Sequence, residues 1–270
     1  MLDESGVWTA SQAAKLSYPE AGHGACFSVE DGSFWFSHRN ECILALIKAH
    51  PPRTGGPIFD VGGGNGFVAS RLAENGFEVV LVEPGPEGAQ NAKRRGIEHV
   101  VCATTESAGF SPNALPAIGL FDVIEHIEDD VEFLRSMRGL LRHMGQVYVT
   151  VPAHTALWSN EDVRAGHFRR YSLGAVSKLL ESTGFRIDFA SYIFRPLPIP
   201  IFAARTVPSI VGRSAGRDRH RTAREHGLKR GPVAKLLDAM LGSEIENIKH
   251  RRPMRFGASC LVAATASMGS

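Results

Sequence analysis

The chain has 270 residues, of which 43% are hydrophobic and 21% charged, an ordinary globular composition able to bury a real core. A formal net charge of +2 argues neither for nor against nucleic acid, and four scattered cysteines without a Cys-x-x-Cys pair argue against a thiolate metal cluster and for a reduced, cytoplasmic setting. No uncharged apolar run of about 18 residues predicts a transmembrane helix, and the first residues lack the basic and apolar regions of a signal peptide.

After a polar, Gly-containing start, Phe34-Trp35-Phe36 leads into a predicted helix from about His38 to His50, ended by Pro51-Pro52. Strand and helix patterns then alternate. Strands are expected at Ile58–Val61, Glu78–Val82, Glu98–Cys102, Ile118–Val123 and Gln146–Val151, with helices near Phe67–Asn75, Glu87–Arg95 and Asp130–His143. Ser172 caps a helix running to Ser182, Thr183-Gly184 stops it, and Phe185–Tyr192 is a sixth strand. The apolar run Arg255–Ala264 is a seventh. This order predicts an α/β fold: a Rossmann-like, mostly parallel sheet with helices on both faces.

The turn after the first of these strands is the most informative stretch. Residues 58–66 read Ile-Phe-Asp-Val-Gly-Gly-Gly-Asn-Gly. Glycines at 62, 64 and 66 let the backbone turn sharply and approach a ligand, and the free N–H groups of the next helix face outward. Glu83 ends the second strand, about 20 residues from Gly62, where an acid accepts hydrogen bonds from ribose hydroxyls. With Asp60 in the strand end, the loop reads Asp-x-Gly-x-Gly-x-Gly. It resembles the first motif of class I S-adenosylmethionine-dependent methyltransferases rather than the Gly-x-Gly-x-x-Gly of nicotinamide and flavin enzymes. The resemblance spans most of the chain and implies a seven-stranded sheet whose last strand is inserted antiparallel. It also implies that the residues after strand three, Thr105 and Glu106 here, edge the adenine. Ala103-Thr104 stands where many members carry an acid, which leaves backbone or Glu106 for that contact.

The loop after strand four, Asp122-Val-Ile-Glu125-His126, falls close to the expected position of the methyl group. Two readings stand side by side. His126 acts as a general base or orients one; or Asp122, Glu125 and His126 hold a divalent cation that polarises the acceptor. The spacing resembles the metal-binding Glu-x-x-Glu-His motif of ubiquinone-pathway and small-RNA O-methyltransferases, with Asp in place of the first Glu. Glu-His here is also frequent in relatives without metal, and the metal-free reading is preferred.

Beyond strand five, the polar and aromatic run from Trp158 to Tyr171 is the expected acceptor wall. It looks like a stretch of bacterial methyltransferases linked to glycan and natural-product pathways. His167 is a second candidate base or ligand. Arg169 or Arg170 holds an anionic acceptor group, or Arg169 pairs with Asp162 or Glu161 and orders the loop. Near the start of the chain, Phe34–Phe36 with Arg39 forms a lid over the cofactor, as the resemblance implies, or packs in the core; Arg39 is a partner for the cofactor carboxylate.

Residues 195–252 interrupt the plan. They open on the Pro-rich apolar run Arg195–Ala204, contain seven Lys/Arg against two acids between Gly212 and Gly231, net +5, and end in a predicted helix Pro232–Ile248. The segment is either a solvated insertion or an acceptor lid for an anionic or lipid-linked substrate. Membrane-surface contact is a further reading, although no amphipathic helix carries the charges. Nucleic acid is not expected as a partner.

Together these residues predict a cytoplasmic O-methyltransferase that uses S-adenosyl-L-methionine on a small-molecule or sugar hydroxyl, with His126, His167 and Glu125 around the reacting atoms. A metal-assisted enzyme and a cofactor-binding scaffold without catalysis are the rivals. The chain divides into a cap (1–56), a cofactor-binding core (57–194), the insertion (195–252) and the final core strand (253–270).

Overall fold

A computed structural model describes residues 6–10, 30, 32–210 and 232–267. The basic stretch 212–231, His23 and Cys26 lie outside the described residues.

Among the described residues, eight strands form one sheet: β1 (Val7–Thr9), β2 (Ile58–Val61), β3 (Val79–Val82), β4 (His99–Cys102), β5 (Leu115–Phe121), β6 (Leu141–Pro152), β7 (Phe185–Ile193) and β8 (Ser259–Ala266). Their order is β1-β4-β3-β2-β5-β6-β8-β7, parallel except for β8, which runs antiparallel between β6 and β7. This is the expected fold class with one strand added. β1 pairs in parallel with β4 at the sheet edge; it is three residues long with only Val7 buried, too short to show an alternation.

The helices α1 (Phe34–Ala49), α2 (Phe67–Ala73), α3 (Pro86–Arg94), α4 (Asp130–Leu140), α5 (Asn160–Ala165) and α6 (Leu173–Ser182) follow in chain order. After β7 come α7 (Pro198–Ile201), a π-helical turn Phe202–Thr206, α8 (Val207–Ile210) and, past the undescribed stretch, α9 (Pro232–Lys249). Side chains alternate across the sheet as the two-residue strand period requires. Leu81, Tyr148 and Leu261 join α1, α2, α3 and α9 on one face, while Val82, Val147, Val149 and Val262 join α4 and α6 on the other.

The helix expected to His143 ends at Leu140, where β6 begins, the last strand runs Ser259–Ala266 rather than Arg255–Ala264, and two further boundaries differ for local reasons. α1 begins at Phe34, not His38, because Ser33 in extended conformation caps it by accepting the Phe36 N–H. The aromatic triplet is therefore the first turn of a core helix, with Trp35 stacked on Phe194 at 3.9 Å between ring centres. β5 stops at Phe121 because Asp122 turns to φ 57°, a conformation that ends the strand.

Candidate active site

The site is built from loops at the carboxyl ends of β2, β3, β5 and β6, where open α/β sheets bind ligands. In the glycine loop all three alternate glycines have positive φ, but they differ in surroundings. A Cβ on Gly62 would stand 2.9 Å from Val123 and one on Gly66 2.9 Å from Ala92, whereas one on Gly64 would meet nothing within 4 Å. Gly62 and Gly66 are thus needed for packing, and Gly64 faces open space above the loop.

Two carboxyl groups frame this loop. Glu83, buried, accepts the N–H of Gly64 at 2.9 Å and of Gly85 at 2.6 Å, which ties the first cofactor loop to the second. Asp60 is fully enclosed in the end of β2, with the Ala69 amide near the start of α2 as a backbone donor and no hydrogen-bond partner on Oδ2. Burial pushes its pKa up to about 7, against the pull of Arg39. Thr105 is buried in the loop after β4, and Glu106 beside it is exposed.

Arg39 reaches from α1 to form an ion pair with Asp122, whose other oxygen accepts the Thr150 hydroxyl at 2.9 Å. Asp122 is thereby drawn toward α1 and β6. It does not join Glu125, His126 and His167, whose ligand atoms all lie within 4.8 Å of one another. Of the alternative cation set Asp122, Glu125 and His126, the last two thus gather with His167 from the next loop rather than with Asp122. A backbone bond, Phe168 N–H to Glu125 C=O at 2.7 Å, is among the links that bring the two loops together, with Arg169 also reaching the Glu128 carbonyl.

The cluster has a defined electrostatic order. Burial, then the nearby Asp122 charge, raises the Glu125 carboxyl well above its usual range. Burial and the neighbouring His167 lower the His126 imidazole to about 4, so it is neutral at physiological pH. The His126 and His167 rings meet edge to face at 4.7 Å. His167 Nδ1 is 2.9 Å from Asp162 Oδ1. Burial raises the Asp162 pKa, but hydrogen bonds from His167 and Arg170 outweigh it and bring the value to about 2. An ionised Asp162 can only accept, so in the neutral ring the proton sits on Nδ1 and the lone pair on Nε2.

The arginines of the wall are committed to the protein. Arg170 grips both oxygens of Asp162, at 2.7 and 3.1 Å. Arg169 pairs with Asp130 at 2.9 Å and with the Glu128 carbonyl, not with Asp162 or Glu161 as expected, because Asp162 is filled and Glu161 pairs with Arg164. Asp162 itself was legible only as a loop-ordering partner. Its role in orienting His167, five residues on, depends on a Gly166 turn at φ 78° that closes α5.

A profile described as "Methyltransferase domain" matches residues 35–188, more than half of the chain. The chain belongs to the class I S-adenosylmethionine-dependent methyltransferases. A ubiquinone biosynthesis O-methyltransferase of Xylella fastidiosa is 26% identical over 117 residues, covering 41% of this chain and 48% of that protein. The mitochondrial enzyme of the same name from Mus musculus is 27% identical over 130 residues, 44% of this chain and 35% of that one. The match thus spans about half or less of these relatives. Among solved structures, Haemonchus contortus phosphoethanolamine N-methyltransferase 2 with S-adenosyl-L-methionine superposes with a TM-score of 0.56 at 20% identity over 93% of this chain and 58% of that one. An Archaeoglobus fulgidus methyltransferase gives 0.52 at 16% identity, over 84% and 94%. The cofactor of this methyltransferase is S-adenosylmethionine, and the residues fit it: the open face of Gly64, the buried Glu83 at the end of β3 and the Asp60 Oδ2 without a hydrogen-bond partner would line a cradle at the start of α2.

Proposed function

We propose that the chain methylates a hydroxyl group of a small molecule or sugar, and that His167, oriented by Asp162 and flanked by His126 and Glu125, takes the acceptor's proton. The observation that carries this is the Asp162–His167 bond at 2.9 Å, a base held by a third group in the loop after β6. When bound, S-adenosylmethionine supplies an electrophilic methyl group. Glycines 62, 64 and 66, Glu83, Asp60, Thr105 and Glu106 would hold the cofactor, and Arg39, paired with Asp122, would add positive charge toward its carboxylate. Positioning then accounts for much of the rate, and a neutral imidazole removes the proton as the new bond forms. The named function of the partial relatives, O-methylation, supports the hydroxyl over nitrogen or carbon. A reducing, cytoplasmic setting, read from four scattered cysteines without a Cys-x-x-Cys pair, completes this reading.

A second reading has its own observation: Glu125, His126 and His167 offer a carboxylate oxygen and two imidazole nitrogens within 4.8 Å, a donor set suited to a divalent cation. Calorimetric titration with S-adenosylhomocysteine, on wild type and Glu83→Ala, tests the cofactor cradle; the variant should bind about 10–100-fold more weakly. Mass analysis of products from a panel of hydroxyl, amine and carbon acceptors tests the rest. Methylation on nitrogen or carbon alone would overturn the hydroxyl assignment, and activity lost to chelator and restored by a divalent metal would move the chemistry to the second reading.

A further inference from the structure

Large apolar side chains exposed to solvent are concentrated at one end of the molecule. Among the described residues, every one but Trp8 comes from the segments that leave β6, leave β7 or enter β8. Val163 and Phe168 follow β6, Phe256 precedes β8, and the helical stretch 198–210 contributes four, with Ile199 at 76% and Ile210 at 75% exposure. Because β8 is antiparallel, its start lies beside the ends of β6 and β7: Ser259 pairs with both Pro152 and Ile193. These residues therefore ring the same end of the sheet as His126 and His167. The stretch after β7 is seated there by a bond from the Asn160 N–H to the Ser209 hydroxyl at 3.1 Å.

Single exposed apolar residues are ordinary, but a cluster at the mouth of a site marks a contact surface. Its charge identifies the contact. Residues 194–210 carry Arg195 and Arg205 and no acid, Arg255 adjoins Phe256, and Glu161 beside Val163 is paired with Arg164. Apolar side chains bordered by cations match the boundary of an anionic bilayer, where rings and aliphatic chains enter the headgroup layer and arginines meet lipid phosphates. Prolines 198, 200 and 208 and the π turn keep the stretch in short pieces, and no helix of the described residues is long and apolar enough to cross a membrane.

We propose that this rim docks on an anionic membrane surface, so that the site opens toward the headgroup layer and takes its hydroxyl acceptor from a lipid-linked molecule. The acceptor part rests on the O-methyltransferase reading; the docking part does not. The test is co-sedimentation of the full chain with phosphatidylglycerol-containing vesicles and with pure phosphatidylcholine vesicles, at low and high salt. Ile199→Glu/Ile210→Glu is compared with wild type; both positions are mostly exposed, and unchanged S-adenosylhomocysteine binding and melting temperature verify the fold. A second pair, Ile199→Ser/Ile210→Ser, is held ready should the charges disturb folding. The expected result is binding to anionic vesicles that falls at least about tenfold with neutral lipid, with salt and in either variant. Absence of binding, equal binding to both lipids, or binding unchanged in the variants would overturn the proposal. If vesicles bind but no acceptor yields an O-methyl product, docking stands and the assigned reaction falls. Methylation of a soluble hydroxyl without vesicle binding leaves the reaction standing and removes the docking.

Discussion

His38 Nε2 on α1 lies 3.0 Å from Glu244 Oε2 on α9, and both side chains are buried. The same carboxylate accepts the N–H groups of Phe194 and Arg195, each at 2.7 Å, where the chain leaves β7. One acid thus fastens the last helix to the first and to the end of a strand. Arg39, the residue after His38, reaches the site through Asp122.

Glu244→Ala should therefore destabilise the protein by about 2–4 kcal/mol, because it strands buried donors rather than merely deleting a contact. Urea unfolding at neutral pH measures it. A loss of less than about 0.5 kcal/mol would show that α9 is not held at this point.

The three glycines should separate packing from binding. Gly66→Ala, with its Cβ against Ala92, is expected to cost about 1–3 kcal/mol of stability. Gly64→Ala has room for the methyl group, and its stability cost comes mainly from its positive φ. Its larger effect should be weaker S-adenosylhomocysteine binding, since the added methyl group projects into the open side of the loop. Paired melts and titrations distinguish the two, and equal profiles would contradict the assignment.

Asp60 makes stability depend on pH. Its ordinary pKa is 3.8, and in the fold it rises to about 7. The folded state therefore holds a proton that the unfolded chain releases, so the contribution is fully present below about pH 4 and is lost as pH rises through 7. Between pH 5 and 8 wild type should lose on the order of 2–3 kcal/mol relative to Asp60→Asn, which has no such proton. Parallel pH dependence in the two proteins would refute a raised pKa.

Asp162→Asn removes the charge that fixes the His167 tautomer. A fall in kcat of about 10–100-fold with a smaller change in KM is expected. The double variant with His167→Gln should be hardly worse than His167→Gln alone, as befits residues that act as a unit. Additive losses would instead mean that Asp162 serves only the loop.

Legibility in the sequence followed distance along the chain. The glycine loop, Glu83 and the strand alternation could be read because each is written in a few consecutive residues with a characteristic period. Gly184, at φ 92°, stops α6 where Thr183-Gly184 announced it. The His38–Glu244 contact spans 206 positions and leaves no local trace. β1 was hidden because its pairing with β4 supplies what three residues lack on their own. At the site, the candidates His126, His167 and Glu125 were visible by type, but their meeting depends on links such as the backbone bond between Phe168 and Glu125, which no side-chain pattern encodes.

The antiparallel insertion of β8 has an evolutionary consequence. Ile193 and Ala258 are joined by a hydrogen bond of 2.9 Å, so everything between them departs from and returns to a single point at the reactive end of the sheet. Such a segment is a cassette. Its exposed residues just after β7 can vary without shifting the register of any strand, whereas α9, held in the core by Leu241, Glu244 and Ile248, must be kept.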